Sequence, residues 1–307
     1  MKNVTISGSL AYDRIMNFPD IFSNHILADK LHTLNVCFQV DGVTENYGGT
    51  AGNIAYALNL MGVKPQFSAT IGSDHHKYLA WLKRNNISCD GIKIIESELT
   101  AGAYITTDSS NNQITVFNPG AMKYSSELDI NNLSIEDNLL LVSPGNLEDM
   151  INYPRECKAK GKDYIFDPGQ ALPVLQGNDL IEVITDCYML IVNDYEFNLI
   201  LDKTEKTKKE LLELAQTTII TLGGKGSKIY AGSEITDIPP FKAAQVIDPT
   251  GAGDAFRGGL ISGLIQNKSI EESAIIGSVC ASFAVESNGT QLYSFTPEEF
   301  KKRSTAS

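Results

Sequence analysis

Five short apolar runs, at 67–71, 139–143, 164–166, 189–192 and 218–222, recur along the chain with helix-like segments between several of them. Ile54, Ala57, Leu58 and Met61 fall at helical spacing and stop at Gly62, residues 210–216 are amphipathic, and 273–285 read as a buried helix. Strands that alternate with helices imply crossover connections, so the pattern predicts an α/β fold with a central, mostly parallel sheet and helices on both faces. Two regions break the rhythm, 15–46 and 101–117, where strand-like residues surround turn-rich pieces such as Asp108-Ser109-Ser110-Asn111-Asn112. They predict a small β-sheet lid built from about 15–46 and 101–119. No internal repeat or low-complexity linker divides the sequence, which is expected to form a single domain over residues 1–307.

A net charge of −12 with no long run of Lys or Arg argues against nucleic-acid or anionic-membrane partners and leaves small molecules as the natural ligands. Cys37, Cys89, Cys157, Cys187 and Cys280 are odd in number, scattered and never in a C-x-x-C pair, so neither a disulfide framework nor a zinc site is expected. That usage fits a reducing cytoplasm. Residues 1–7 alternate like a strand and lack a signal peptide's apolar core, and no stretch reaches the ~18 apolar residues of a membrane span.

Near the C-terminal end, Asp248-Pro249-Thr250-Gly251-Ala252-Gly253-Asp254 runs into an apolar, helix-patterned stretch. Small residues at a helix start leave backbone amides bare, and with the helix dipole they can hold an anion such as a phosphate in transfer. Asp254 beside such a site is a candidate general base; an ordinary capped turn is the simpler alternative. A second cluster, Gly48-Gly49-Thr50-Ala51-Gly52-Asn53, opens the helix that ends at Gly62, and Asn53 can both donate to and accept from hydroxyls. A third, Thr221-Leu222-Gly223-Gly224-Lys225-Gly226, follows a strand, where open α/β sheets bind ligands, although a tight hairpin before 227–231 explains it equally well. Asn193-Asp194-Tyr195-Glu196 suits a hydrated magnesium or, just as well, a helix N-cap.

Taken together, these clusters resemble the ribokinase-like, or PfkB-type, carbohydrate and nucleoside kinases over nearly the whole chain. Gly48, Gly49, Ala51, Asn53, Ala55, Gly62 and Gly72 meet the early family signature and residues 248–260 the late one. The resemblance implies a ribokinase-like three-layer fold, Asp254 as the base that deprotonates an acceptor hydroxyl, and the amides of Gly251, Ala252 and Gly253 as the anion hole. It further implies Mg²⁺ and ATP as cofactors, with Asn193 and Glu196 in the magnesium-phosphate network and Thr221, Gly223 and Gly226 on the nucleotide phosphates. Asn288 would line the nucleotide site, and Asp248 and Thr250 match positions that hold a monovalent cation, K⁺, in some members. Phosphoryl transfer asks mainly for positioning and charge neutralisation, so this kit is chemically sufficient.

Within the family the chain looks most similar to bacterial-type adenosine kinases. The likeness is carried by residues 7–13, 48–55 and 113–122 and by Asp167-Pro168-Gly169-Gln170. It implies that Asp13, Gly49 and Asn53 hold ribose hydroxyls, that Ser9 and Gln170 approach the base, and that Phe117 stacks on it. Thr50 stands where ribokinases proper carry lysine, which argues against free ribose; Ala103 stands where some relatives carry a second aromatic. The resulting expectation is phosphorylation of the adenosine 5′-hydroxyl to give AMP and ADP, in a cytoplasmic enzyme that forms a homodimer through lid strands. A kinase of another nucleoside or of a sugar such as ribose or fructose, and a non-catalytic nucleoside sensor, are the alternatives. A dehydrogenase is disfavoured because Phe256 sits where a dinucleotide fingerprint needs its third glycine.

Overall fold

The structure, a computed structural model, describes residues 3–133 and 138–305. In chain order the strands are β1 (Asn3–Ser7), β2 (Ala11–Asn17), β3 (Val43–Gly48), β4 (Gln66–Gly72), β5 (Ile92–Ile95), β6 (Ala101–Thr107), β7 (Gln113–Asn118), β8 (Asn138–Val142), β9 (Tyr164–Phe166), β10 (Met189–Asn193), β11 (Thr218–Thr221), β12 (Ser227–Ala231) and β13 (Glu234–Ile238). The helices are α1 (Thr50–Leu60), α2 (His76–Arg84), α3 (Leu147–Ala159), α4 (Gly177–Ile184), α5 (Asp194–Thr204), α6 (Lys208–Leu212), α7 (Ala252–Ile265), α8 (Ile270–Ala284) and α9 (Pro297–Ser304).

Nine strands form one sheet in the order β13-β12-β11-β10-β9-β8-β1-β4-β5, parallel from β11 through β5 and antiparallel only at the β11-β12-β13 edge. All five apolar runs named above are strands of this sheet. Their side chains divide between two cores, because neighbouring residues of a strand point to opposite faces. Leu139, Leu141, Ile165, Met189, Ile191 and Ile219 pack with α1, α2, α7 and α8. Leu140, Val142, Phe166, Leu190, Val192 and Ile220 pack with α3, α4, α5 and α6. Burying a strand on both sides demands a continuous apolar run, and each such Leu or Ile contributes about 1.5–3 kcal/mol.

Two helix boundaries differ from the sequence reading for the same reason. The amphipathic stretch at 210–216 becomes α6 at Lys208–Leu212, and the helix expected at 273–285 starts at Ile270. In each case a capping box, Thr207 with Glu210 and Ser269 with Glu272, fixes the N-terminus ahead of the apolar periodicity. Of the alternating N-terminal stretch, Asn3–Ser7 is β1, while Met1 and Lys2 lie outside the described residues.

The remaining strands make a second sheet in the order β3-β2-β6-β7. It begins at Ala11 and reaches Gly48, which are paired, so it extends beyond the 15–46 expected for the lid and takes in Asp13. One row runs straight across it, Asn46 opposite Asp13, Asp13 opposite Ala103 and Ala103 opposite Phe117, which places all four side chains on one face. Polar bonds fasten this sheet to α2 and its approach. Tyr78 Oη donates to the Gly48 carbonyl at 2.7 Å, Tyr12 Oη to the Asp74 carbonyl at 3.2 Å, and Arg14 bridges Glu45 at 3.0 Å and Asp74 at 3.7 Å. No helix among the described residues is long and apolar enough to cross a membrane.

Candidate active site

Asp254 sits in the first turn of α7, whose N-cap Gly251 holds φ at +78°, a left-handed conformation that favours glycine. A methyl group there would also stand 2.8 Å from Thr290 Cγ2. The Ala255 amide makes the first bond to a carbonyl four residues back, that of Gly251 at 2.9 Å. Of the three amides expected to form an anion hole, that of Ala252 already reaches the Pro249 carbonyl at 3.2 Å, so the bare donors at this helix start are concentrated around Gly253. Helix α1 supplies the facing side: Asn53 Nδ2 donates to Asp254 Oδ2 at 2.8 Å. This approach depends on Gly258, where a methyl would come within 2.4 Å of Ala57 Cβ on α1.

A buried charge pair lies beside Asp254. Arg257, one turn along α7 and 7% exposed, donates from Nη2 to Asp167 Oδ1 at 2.7 Å, and its Nε lies 2.5 Å from Oδ2. The Nε approach is a charge contact without hydrogen-bond alignment. Burial works against the charge of Arg257, but Asp167, Asp254 and Glu196 outweigh it and hold the guanidinium protonated. Burial pushes the Asp254 pKa above the usual carboxylate range, and Arg257 and the Asn53 bond pull it back. Asp13, across the groove on β2, is raised to about 6, by burial first and then by Asp254 and Asp248. The electrostatics thus gather Asp167, Asp254 and Glu196 around a single arginine, with Asp13 coupled to Asp254 from β2.

The residues expected to hold a nucleoside fall into two groups. Asp13 and Phe117 share the row on the small sheet, with Phe117 51% exposed on the edge strand β7, and Asn53 is buried on α1 against Asp254. Gly49 caps α1 with φ +86°, and a methyl group there would stand only 2.6 Å from the Ser9 carbonyl oxygen. Ser9 is already occupied: its hydroxyl accepts from the Thr50 amide at 3.1 Å and its carbonyl from the Ala51 amide at 3.0 Å, so it serves the start of α1. Thr50 Oγ1 in turn donates to the Pro144 carbonyl at 2.9 Å. Gln170 is exposed in the turn after β9.

On the nucleotide side, Asn193 and Glu196 form a complete capping box at the start of α5, with Asn193 N donating to Glu196 Oε2 at 2.8 Å and Glu196 N to Asn193 Oδ1 at 2.7 Å. One carboxylate oxygen of Glu196 stays available, and the residue acts electrostatically on Asp254 and Asp167, so it fits a magnesium ion held through water. Thr221 through Gly226 is the hairpin between the antiparallel β11 and β12. Gly226, φ +88°, is required there because a methyl would overlap the Ile238 carbonyl, whereas Gly223 and Gly224 have nothing within 4 Å and form the open part of the turn. That opening fits a phosphate that needs close backbone approach. Asp248 Oδ1 accepts from the Thr250 amide at 2.9 Å and Oδ2 from the Gly289 amide at 3.2 Å, which brings exposed Asn288 beside the loop ahead of α7. A cavity of about 390 Å³ bordered by Thr5, Gln66, Ser68, Asp90, Glu127 and Asp129 contains none of the expected site residues.

Residues 4–297 match the pfkB family carbohydrate kinase domain. The chain belongs to this family. The nucleoside kinase of Methanocaldococcus jannaschii is 34% identical over 294 residues, covering 95% of this chain and 93% of that one. Its crystal structure, described as an archaeal member of the ribokinase family, superposes with a TM-score of 0.87 over 99% of this chain and 98% of its own. The nucleoside kinase of Burkholderia thailandensis in complex with inosine is 35% identical, with a TM-score of 0.87 over 98% and 97% of the two chains; a further structure of that enzyme is a complex with ADP-inosine. The large parallel sheet, its helices and the separate small sheet are therefore those of a ribokinase-like kinase.

Three residues of this pfkB kinase escape a reading of its motifs. Arg257 lies inside the late signature yet looks like an ordinary helix charge until Asp167, 90 positions away, is placed against it. Gln291 and Trp81 lie outside every glycine cluster, but Gln291 bonds Asn53 at 3.0 Å and Trp81 bonds Gln291 at 2.9 Å. A glutamine just past Asn288 and Gly289 is the only sequence signal that could have pointed to them.

Proposed function

We propose that this pfkB kinase transfers the γ-phosphoryl group of ATP to the 5′-hydroxyl of adenosine, giving AMP and ADP. The observation that carries the reading is the Asp254 carboxylate at the start of α7, tied by Asn53 through one oxygen and acting electrostatically on Asp13 of the small sheet. Asp13 and Asn53 hold the ribose hydroxyls, Phe117 covers the base, and the 5′-hydroxyl reaches the free oxygen of Asp254. As the new O–P bond forms and the bond to ADP breaks, the hydroxyl proton passes to Asp254. The α7 amides around Gly253, with Ala252 and Gly251, and the charge of Arg257 offset the developing negative charge. Bound Mg²⁺ supplies charge neutralisation on the phosphates, held through Glu196 and water, with the nucleotide over Gly223, Gly226, Thr221 and Asn288. We assign K⁺ to the loop of Asp248 and Thr250.

The small sheet serves as the lid that excludes water, moving on the remainder of a single domain. Exposed Ile114 and Val116 on its edge strand favour a homodimer joined through lid strands, in the cytoplasm; light scattering that finds only particles of about 33 kDa would overturn the dimer. A different purine nucleoside is the second reading, favoured by the inosine complex of the Burkholderia thailandensis relative.

ADP release from Mg-ATP against adenosine, inosine, guanosine, cytidine, ribose and fructose, with and without K⁺, tests both. Selective turnover of adenosine supports the proposal, turnover of inosine transfers it to the second reading, and turnover of a sugar alone removes the nucleoside assignment.

A further inference from the structure

Asp254 stands at the end of a chain of hydrogen bonds whose direction is set at the far end. Trp81 Nε1 donates to Gln291 Oε1 at 2.9 Å, Gln291 Nε2 donates to Asn53 Oδ1 at 3.0 Å, and Asn53 Nδ2 donates to Asp254 Oδ2 at 2.8 Å. An indole N–H can only donate, so the Gln291 amide must turn its oxygen to Trp81 and its nitrogen to Asn53. A second constraint agrees. Tyr78 Oη donates to the Gly48 carbonyl at 2.7 Å, which leaves its lone pairs for Gln291 Nε2 at 2.9 Å. Gln291 is 1% exposed, so solvent does not compete for these bonds. The indole is fixed by stacking on Tyr47 of β3, with ring centroids 4.9 Å apart and planes 11° from parallel.

We propose that Gln291 and Trp81 are positioning residues that act through Asn53: they lock its amide nitrogen toward Asp254, so that one oxygen of an ionised base is tied and the other is free for the acceptor hydroxyl. With its oxygen engaged by Gln291, Asn53 cannot flip. If it flipped, its carbonyl would face the carboxylate, and in a buried network such a mismatch is costly. The inference rests on the reading of Asp254 as the base. The charges facing Asp254 are Arg257 on its own helix, Glu196 on α5, Asp167 beyond β9 and Asp13 on β2, with the Tyr293 phenol nearby. None of them belongs to the chain of bonds.

The test compares wild type with Trp81→Phe, which keeps an aromatic ring against Tyr47 and removes one N–H, and with Gln291→Met, which keeps the volume. The readouts are kcat, KM and the titration of the Asp254 carboxyl carbon in ¹³C-aspartate-labelled protein, assigned by its loss in Asp254→Asn. Both variants are expected to lower kcat about 10-fold or more, leave the KM for ATP within about twofold, and raise the Asp254 titration midpoint by about one pH unit, the scale of one lost bond to a charged group. An unchanged midpoint in either folded variant overturns the proposal. The chain has one tryptophan, so its indole N–H gives a single resonance in wild type. That resonance is expected to titrate together with Asp254, and a flat response overturns the proposal without any variant. Coupled titration in a protein that turns over no nucleoside would keep the network and discard the substrate reading instead.

Discussion

Asn53 and Asp254 lie 201 positions apart, and a hydrogen bond of 2.8 Å from Asn53 Nδ2 to Asp254 Oδ2 joins them. It links the first glycine-rich cluster to the last. The contact exists because α1 and α7 cross where Gly258 removes the side chain between them. The two signatures of the family therefore describe one place.

Asp254→Asn removes the proposed proton acceptor and preserves the size of the side chain. Turnover of the accepted nucleoside is expected to fall by roughly 10²–10⁴, the scale of a lost general base, while the thermal midpoint stays close to wild type. Steady-state ADP release with a circular-dichroism melt checks both. A folded variant with near-normal kcat would remove Asp254 from the chemistry.

Gly48→Ala separates binding from chemistry. A methyl at Gly48 would lie 2.4 Å from Asp13 Oδ2 and 2.9 Å from its Cγ, so the carboxylate must swing away from its place on β2. The backbone at Gly48 is not left-handed, and strain on the main chain is not the issue. The expected result is a nucleoside KM raised about 10-fold or more, the scale of a lost bond to a charged group, with the KM for ATP little changed. Equal losses in both KM values would mean that the whole groove had shifted.

Asp13 gives a pH-dependent stability. Its pKa is raised from 3.8 to about 6, chiefly by burial, so the folded state retains a proton that the unfolded chain releases. Its contribution is fully present below about 3.8 and is lost as pH rises through about 6. At pH 8 the ionised side chain costs about 2–3 kcal/mol. Asp13→Asn is therefore expected to stabilise the protein by that amount at pH 8 and by only about 1 kcal/mol at pH 4.5. Urea unfolding at the two values decides it, and a gain that grows toward acid would contradict the assignment.

The parallel strands were legible because burial on both faces leaves runs such as 139–142 and 189–192 without polar interruption. The start of α7, with Gly251 before it and Asp254 in its first turn, was legible because small residues ahead of an apolar helical pattern mark a helix start. Ser9 was not: its hydroxyl caps α1 across 41 positions, a use that no local pattern announces. The cluster at 221–226 supported two readings, and both remain in the structure, since Gly226 serves the hairpin while Gly223 and Gly224 stay open. Gln291 and Trp81 escaped because their roles come entirely from partners 238 and 210 positions away.

Arg257 and Asp167 test how the site tolerates its own charges. Both are buried, and each is neutralised chiefly by the other. Arg257→Leu alone leaves Asp167 without its cation and is expected to cost about 3–5 kcal/mol, whereas Asp167→Leu should cost less, because Asp254 and Glu196 still face the arginine. The double variant removes both charges and should recover most of that stability, which a double-mutant cycle in urea measures directly. Activity should not follow. Arg257 also opposes the effect of burial on Asp254, so in the double variant the base titrates higher and the acidic limb of the kcat profile moves to higher pH. Stability regained with an unshifted limb would confine the pair to the fold; stability regained with a shifted limb would make it part of what keeps the base ionised.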